Sequence, residues 1–226
     1  MSHLFPRMLR QFGAAPAIIF HDEVHTYTDL VEMVDRWRGD LDTDDVLPGQ
    51  VVALESAYSP QACAALLALI DRETIVVPLP PLPPSKRDDM LQTAQVEVVI
   101  TIDSAGHRCS RTQRVADHDL YRRLREAGVP GLVLFSSGTS GRSKASVLDF
   151  TKVLGRYGPP KSPRRILSFL SLDHIGGINT LFHTLSQGGS IVTVPERTPD
   201  VVFAAVAAHR VEVLPTTPTF LNMVLI

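Results

Sequence analysis

One short segment combines hydroxyl side chains, glycines and a lysine in a pattern suited to binding phosphate. An apolar run over 131–135 leads into Ser136–Lys144, which reads S-S-G-T-S-G-R-S-K. Hydroxyls donate hydrogen bonds, glycines let backbone N–H groups converge on an anion, and lysine adds a positive charge. A flexible linker has a similar composition. Because apolar runs lie on both sides of this short segment, we interpret it as a phosphate-binding loop.

The spacing within the loop excludes three common motifs. A Walker A motif needs a wider glycine spacing and a Ser or Thr after its lysine, but Ala145 follows Lys144. No G-x-G-x-x-G dinucleotide fingerprint is present. The nucleophile elbow G-x-S-x-G fails because Arg142 stands at its second glycine. The candidate phosphate ligands are Ser136, Ser137, Gly138, Thr139, Ser140, Gly141 and Lys144.

A histidine at a predicted strand-to-helix turn is the second candidate. Taken alone, His174 is more often a structural residue than a functional one. Gly176 and Gly177 beside it would let a ligand approach the helix start. Three later side chains either line a pocket or pack inside the protein: Asn179, Thr180 and Phe182. We interpret His183 as structural. Thr217 stands at the start of a further predicted helix. Two roles are equally well supported for it: a helix cap alone, or a cap that also forms a wall of the pocket.

Strand and helix patterns alternate along the chain in two series that position these segments. Continuous apolar strands are typical of parallel sheets covered on both faces, so the predicted fold class is α/β with two βαβαβ series. We expect a first α/β subdomain over 1–130 and a second, incomplete at its C-terminal end, over 131–226. The first series has strands at 51–54, 75–77 and 96–101, and helices that begin after Thr28, Ser59 and Ser85; the second has strands at 166–170, 191–194 and 211–214, and helices at 175–185 and 199–209. Between the two series, apolar strands at 131–135 and 145–148 flank the candidate phosphate loop.

Composition excludes several classes of function. The chain has 22 Lys and Arg against 24 Asp and Glu, and this net charge of −2 argues against a nucleic-acid binder held by phosphate contacts. The arginine-rich segment 104–125 also carries acidic residues, which favours a solvated face. The longest apolar run, 62–70, is far shorter than the ~20 residues of a bilayer span. Cys63 and Cys109 form neither a disulfide framework nor a metal quartet, so we expect a reducing cytoplasm and no metal site.

The loop sequence resembles the signature of the adenylate-forming (AMP-binding) superfamily, roughly [ST]-[SG]-G-[ST]-[ST]-G-x-P-K-G. Ser143 replaces the proline and Ala145 replaces the final glycine. In the segment that resembles the family's H-x-x-G motif, Asp173 replaces the aromatic residue that usually precedes the histidine. Six further segments, four before the loop and two after it, are similar to family motifs and occur in the family's order: 27–30, 48–54, 59–60, 76–79, 185–189 and 211–218.

This resemblance implies an acyl-CoA synthetase or acyl-AMP ligase, of fatty-acid or secondary metabolism. Such an enzyme uses ATP and Mg²⁺ to activate a carboxylic acid as an acyl-adenylate, and passes it to the thiol of CoA or an acyl-carrier protein. The loop would hold the β- and γ-phosphates, and His174 would lie on the acyl and acceptor side with Gly177 and Thr217. The family's metal ligands are expected downstream of this chain.

The resemblance covers only the first half of the family's large N-terminal region. We therefore expect a fragment of an acyl-acid ligase that is inactive alone and self-associates through its truncated edge. A non-catalytic binding or scaffold module of the same fold, completed by another chain, is the alternative.

Overall fold

The computed structural model describes residues 4–136, 144–157, 160 and 162–225. Its strands are β1 Pro16–Phe20, β2 Glu23–Thr26, β3 Val51–Ser56, β4 Ile75–Leu79, β5 Val98–Asp103, β6 Gly106–Arg111, β7 Gly131–Ser136, β8 Lys144–Asp149, β9 Arg165–Leu167 and β10 Ser190–Val192. Its α-helices are α1 Leu4–Leu9, α2 Tyr27–Thr43, α3 Pro60–Asp71, α4 Pro84–Thr93, α5 Asp119–Ala127, α6 Phe150–Leu154, α7 Ile175–Ser186, α8 Pro199–Ala208 and α9 Pro218–Val224, and a 3₁₀ turn spans Arg10–Phe12.

The larger sheet has six strands in the order β6-β5-β3-β4-β7-β8. Its four central strands run parallel, and both edge strands, β6 and β8, pair antiparallel with their neighbours. Helices connect the central strands, as parallel pairing requires. The predicted α/β fold class is therefore confirmed.

The smaller sheet joins the two ends of the chain, in the order β2-β1-β10-β9. β1 pairs parallel with β10, although about 170 residues separate them in the sequence. The strand predicted at 211–214 is reduced to one bridge, between Val213 and Ile166. The six-stranded sheet takes strands from both sides of the domain boundary predicted at 130/131. The division into two subdomains at this boundary stays a prediction.

Two apolar clusters cover the opposite faces of the six-stranded sheet. Alternate residues of β3 and β4 point to opposite faces, so each strand contributes to both clusters. One cluster joins α2, α3 and α7 to both sheets, and the other packs α4 and α5 on the outer face. α3 thus lies on one side of the sheet and α4 on the other.

Two predicted helix caps are wrong. α2 is capped by Thr26 instead of Thr28: the Thr26 hydroxyl accepts from the Asp29 N–H at 3.1 Å, and the Asp29 carboxylate accepts from the Thr26 N–H at 2.7 Å. This reciprocal capping box satisfies two free donors, which one hydroxyl at Thr28 could not do. α4 starts after Pro83 with no side-chain cap, and Ser85 lies inside it. The cap predicted at Ser59 is confirmed, since its hydroxyl accepts from the Ala62 N–H at 3.1 Å.

The arginine-rich segment contains the edge strand β6, which the sequence did not predict. Its residues are mostly exposed. Arg108 pairs with Asp103 at 2.8 Å and Arg125 with Glu97 at 3.1 Å, as on a solvated face. Within the described ranges, no helix has the length and apolarity of a membrane span.

Candidate functional site

The carboxyl ends of β3 and β4 form the natural binding crevice of the larger sheet. From β3 the chain passes through α3 to β4, and from β4 it returns through α4 past β3 to β5. α3 and α4 lie on opposite faces, so the loops leaving β3 and β4 diverge. Ligands of open α/β sheets bind at such a switch point, outside the carboxyl ends of the strands.

The candidate phosphate loop starts at this edge of the sheet. Ser136 ends β7 and Lys144 begins β8, and the two residues are paired in antiparallel register. The loop is therefore a hairpin connection that returns into a strand, unlike the Walker A and dinucleotide loops, which open a helix. Both Ser136 and Lys144 are exposed. The other candidate ligands lie outside the described residues: Ser137, Gly138, Thr139, Ser140 and Gly141.

His174 stands at the start of α7 with its imidazole turned to solvent. Its side chain is 60% exposed and makes no capping hydrogen bond. Its Nε2 lies 3.6 Å from Oδ2 of Asp173, an ion-pair distance when the ring is protonated. The other carboxylate oxygen of Asp173 accepts a hydrogen bond from the Ser171 hydroxyl. The sequence reading missed this Ser171–Asp173 pair, although a Ser-x-Asp sequence just before a helix is a signal for it.

The loop before His174 covers the switch point. A small cavity lies between this loop and the carboxyl ends of β3 and β4, lined by Leu54, Ser56, Tyr58, Ala62, Pro78, Leu79, Pro80, Ser171, Leu172 and Asp173. β7, which leads to the candidate phosphate loop, is the next strand beside β4. The fold thus brings both candidate segments to one edge of one sheet.

Gly177 gives this loop room to pack on α7. A Cβ atom at residue 177 would lie 1.9 Å from the carbonyl oxygen of Ser171 and 2.8 Å from that of Leu170. The close packing of the loop on α7 therefore requires glycine at this position, since only a residue without Cβ admits this backbone contact. Its predicted place in a substrate pocket stays a prediction.

Thr217 caps α9, and its hydroxyl accepts from the Phe220 N–H at 3.3 Å. Phe220 packs edge-on against Phe169, with ring centroids 4.8 Å apart, in the stretch that leads from β9 to His174. Thr217 is thereby tied to the loop of His174. Its role as a pocket wall stays a prediction.

The far side of α7 packs inside the protein. Phe182 is fully buried, with its ring 5.0 Å from that of Phe5 and 5.3 Å from that of Phe150. Asn179 accepts a hydrogen bond from the Tyr157 hydroxyl at 3.0 Å. For Phe182, packing is therefore the correct one of the two interpretations.

Tyr58, whose hydroxyl is buried, lines this cavity, and the buried thiol of Cys63 lies next to that hydroxyl. Burial raises the pKa of the Cys63 thiol to about 12 and raises the pKa of the Tyr58 phenol well above its usual value. Both groups are neutral at physiological pH, so Cys63 is no thiolate nucleophile. No group of three His, Cys, Asp or Glu side chains able to hold a metal ion occurs in the described part of the chain.

Comparison with known proteins agrees with the resemblance of the loop. A family model described as AMP-binding enzyme matches residues 5–226. Phenyloxazoline synthase MbtB from Mycobacterium sp. (strain MCS) is 28% identical over 232 residues, which take in 93% of this chain and 20% of that protein. The chain thus spans about a fifth of the length of this relative.

Two solved structures share the fold. One is the N-terminal subdomain of Klebsiella oxytoca NpsA in complex with 3-hydroxyanthranilyl-AMSN, with a TM-score of 0.75, 20% identity and coverage of 95% of this chain and 58% of that one. The other is o-succinylbenzoate CoA synthetase (MenE) from Bacillus subtilis with the acyl-adenylate intermediate OSB-AMP, with a TM-score of 0.73, 20% identity and coverage of 97% and 64%. Because the family model matches nearly the whole chain, this protein belongs to the AMP-binding enzyme family.

Proposed function

We propose that this chain is part of an ATP-dependent, AMP-forming acid–thiol ligase. Its whole protein activates a carboxylic acid as an acyl-adenylate and passes the acyl group to the thiol of CoA or a carrier protein. The observation that carries the proposal is the Ser136–Lys144 hairpin connection at the carboxyl edge of β7, in a chain of the AMP-binding enzyme family. We place the reaction in the cytoplasm, which keeps the free thiols of Cys63 and Cys109 reduced.

Ser136 and Lys144 are suited to phosphate by their chemistry and position. One offers a hydroxyl donor and the other a fixed positive charge, and both are exposed at the same end of one hairpin. A hydrogen bond to a charged group contributes about 1.5–3 kcal/mol. The hydroxyls and glycines over 137–143 would complete the set of donors around the β- and γ-phosphates of ATP.

The proposed reaction has two substitutions. A carboxylate oxygen of the acid attacks the α-phosphorus of ATP, and pyrophosphate leaves with the bridging oxygen. The thiolate sulfur then attacks the acyl carbonyl carbon, and AMP leaves. Lys144 stabilises negative charge on the phosphate oxygens in the first step. Mg²⁺, when bound, neutralises further phosphate charge, and we assign it no ligand in this chain.

His174 is proposed to act on the acyl and acceptor side. Its exposed imidazole is free to contact a ligand, and the Ser171–Asp173 pair lies beside it. The loop that carries it covers the switch point, so a bound acid there would be shielded from water that would hydrolyse the adenylate. Gly177 and Thr217 would flank the same space.

Carboxylate-dependent pyrophosphate exchange on the whole protein tests the proposal. Lys144→Ala should lower the exchange rate at least about tenfold, which corresponds to the loss of one charge-assisted contact. Lys152→Ala is the matched control, because this lysine is 82% exposed and pairs with Asp149 at 3.7 Å outside the loop. Equal rates for the two variants would contradict the phosphate site. No exchange with any acid in a broad panel would favour the non-catalytic scaffold.

A further inference from the structure

Pro78 stands in a central strand, where proline is rarely tolerated. It is the fourth residue of β4, which lies between β3 and β7. Proline has no N–H to donate to a ladder, so within sheets it is normally confined to edges, strand starts and bulges. Its place in β4 therefore needs a reason.

Backbone hydrogen bonds on either side of β4 show which neighbouring strand loses a donor. The Ile75 N–H donates to the Gln50 carbonyl at 2.8 Å, on the β3 side. The Gly131 N–H donates to the Thr74 carbonyl at 3.0 Å, so the backbone of residue 74 faces β7. Successive residues of a strand turn their backbone groups to alternate neighbours, so residues 76 and 78 also face β7. The donor missing at Pro78 is one that β7 would have received.

The strand registers fit this assignment. β4 pairs with β3 along its whole length, from Val51↔Ile75 to Glu55↔Leu79. β7 pairs with β8 along its whole length, to Ser136↔Lys144. Between β4 and β7, both of them fully described, the paired register consists of Ile75↔Gly131 and Val76↔Leu132. The interruption affects this one pair of strands and begins just before residue 78.

The pairing with β3 continues one residue beyond Pro78, because the backbone of residue 78 faces away from β3. The effect of the proline is thus directed at β7. In this register the last residue of β4, Leu79, would stand opposite Phe135, so the ladder that reaches Ser136 is the one from β8, an antiparallel edge strand.

We infer that Pro78 is a positioning residue for the phosphate site. By withholding one main-chain donor from β7, it leaves the end of the β7–β8 hairpin uncoupled from the central sheet, so that Ser136 and Lys144 can adjust around an anionic ligand. A hairpin end held by fewer hydrogen bonds has a lower local stability, and binding elements are drawn from such regions. The inference rests on the proposed function.

The test compares Pro78→Ala with Pro81→Ala in the whole protein. The first variant restores an N–H that points at β7, whereas the second changes an exposed proline that lies beyond the end of β4 and does not line the cavity at the switch point. Hydrogen exchange at residue 78 should show a protected amide in Pro78→Ala, and thermal stability should be equal or higher. Its affinity for ATP, measured by calorimetry, should fall about two- to tenfold, which is the scale of one net hydrogen bond. Pro81→Ala should bind like the wild type.

A backbone ester separates the missing donor from the proline ring. Pro78→lactic acid, introduced by nonsense suppression, lacks both the ring and the N–H, and it should bind ATP like the wild type. Loss of affinity in this ester variant would overturn the inference, because the ring would then be what matters. An unprotected amide in Pro78→Ala, or a protected amide with unchanged affinity, would overturn it as well.

Lys144→Ala, measured in the same assay, separates the two levels of the argument. If it binds ATP like the wild type, the phosphate site is wrong, and the role of Pro78 falls with it. If it binds more weakly while Pro78→Ala binds normally, the phosphate site stands and only the inference about Pro78 fails.

Discussion

Replacing Gly177 by alanine tests whether the start of α7 is fitted to the loop that carries His174. The new Cβ atom would lie 1.9 Å from the Ser171 carbonyl oxygen, and such contacts essentially never fall below 3.0 Å. The loop backbone must therefore move by 1.1 Å or more, the difference between these distances. The Leu170 carbonyl oxygen would lie 2.8 Å from the same Cβ atom, so a second backbone group would also have to move.

The expected cost follows from two opposing effects. Overpacking in a well-packed region costs about 1–3 kcal/mol, and contact with rigid backbone favours the upper end. Alanine in a helix gains about 1 kcal/mol over glycine. The net loss is about 2 kcal/mol, which for a chain of this size lowers Tm by about 4–8 °C.

Gly39→Ala is the matched control for this substitution. Gly39 is exposed inside α2, and nothing lies within 4 Å of its added Cβ. The same chemical change should therefore raise Tm, by the helix propensity alone. Thermal unfolding of the purified chain measures both variants. If Gly177→Ala unfolds at or above the wild-type temperature while Gly39→Ala behaves as expected, the close packing of loop and helix is refuted.

Three further predictions concern the site, the capping box and the isolated chain. In the whole protein, His174→Ala should slow adenylate formation or thioester transfer more than it weakens ATP binding; a defect confined to ATP affinity would place His174 wrongly. Hydrogen bonds from Thr26 lower the pKa of Asp29, so this carboxylate stabilises the fold above its unfolded pKa and the gain is lost as pH falls through the folded value. Urea unfolding should accordingly show Asp29→Asn less stable at pH 7 but equal to the wild type near pH 2; a difference independent of pH would contradict the assignment. The isolated chain should show no ATP-dependent ligation and should self-associate in light scattering through the exposed apolar side chains of α8 and α9, among them Phe203, Leu221 and Met223; robust exchange by a strict monomer would contradict both expectations.

Local pattern was sufficient for much of the fold. The apolar runs of β3, β4 and β5 and the helix start at Ser59-Pro60 are short-range features, since strand composition and a capping hydroxyl act within a few residues. The hydroxyl-glycine-lysine loop could likewise be read directly, because its chemistry resides in consecutive residues. β6 escaped prediction since its exposed, arginine-rich sequence has no apolar pattern.

Strand partners were decided only by the tertiary structure. No local signal says that β1 pairs with β10 near the other end of the chain, or that β7 belongs to the sheet of β3. The same holds for two residues with apparently simple roles. The sequence suggests that Gly177 leaves room for a ligand, but the structure places the Ser171 carbonyl against it. Pro78 follows the strand predicted over 75–77, but the structure places it inside β4, with its missing N–H on the side of β7. The sequence determines which chemical groups a residue has or lacks. The partners of those groups come from distant segments of the chain, and only folding brings these segments together.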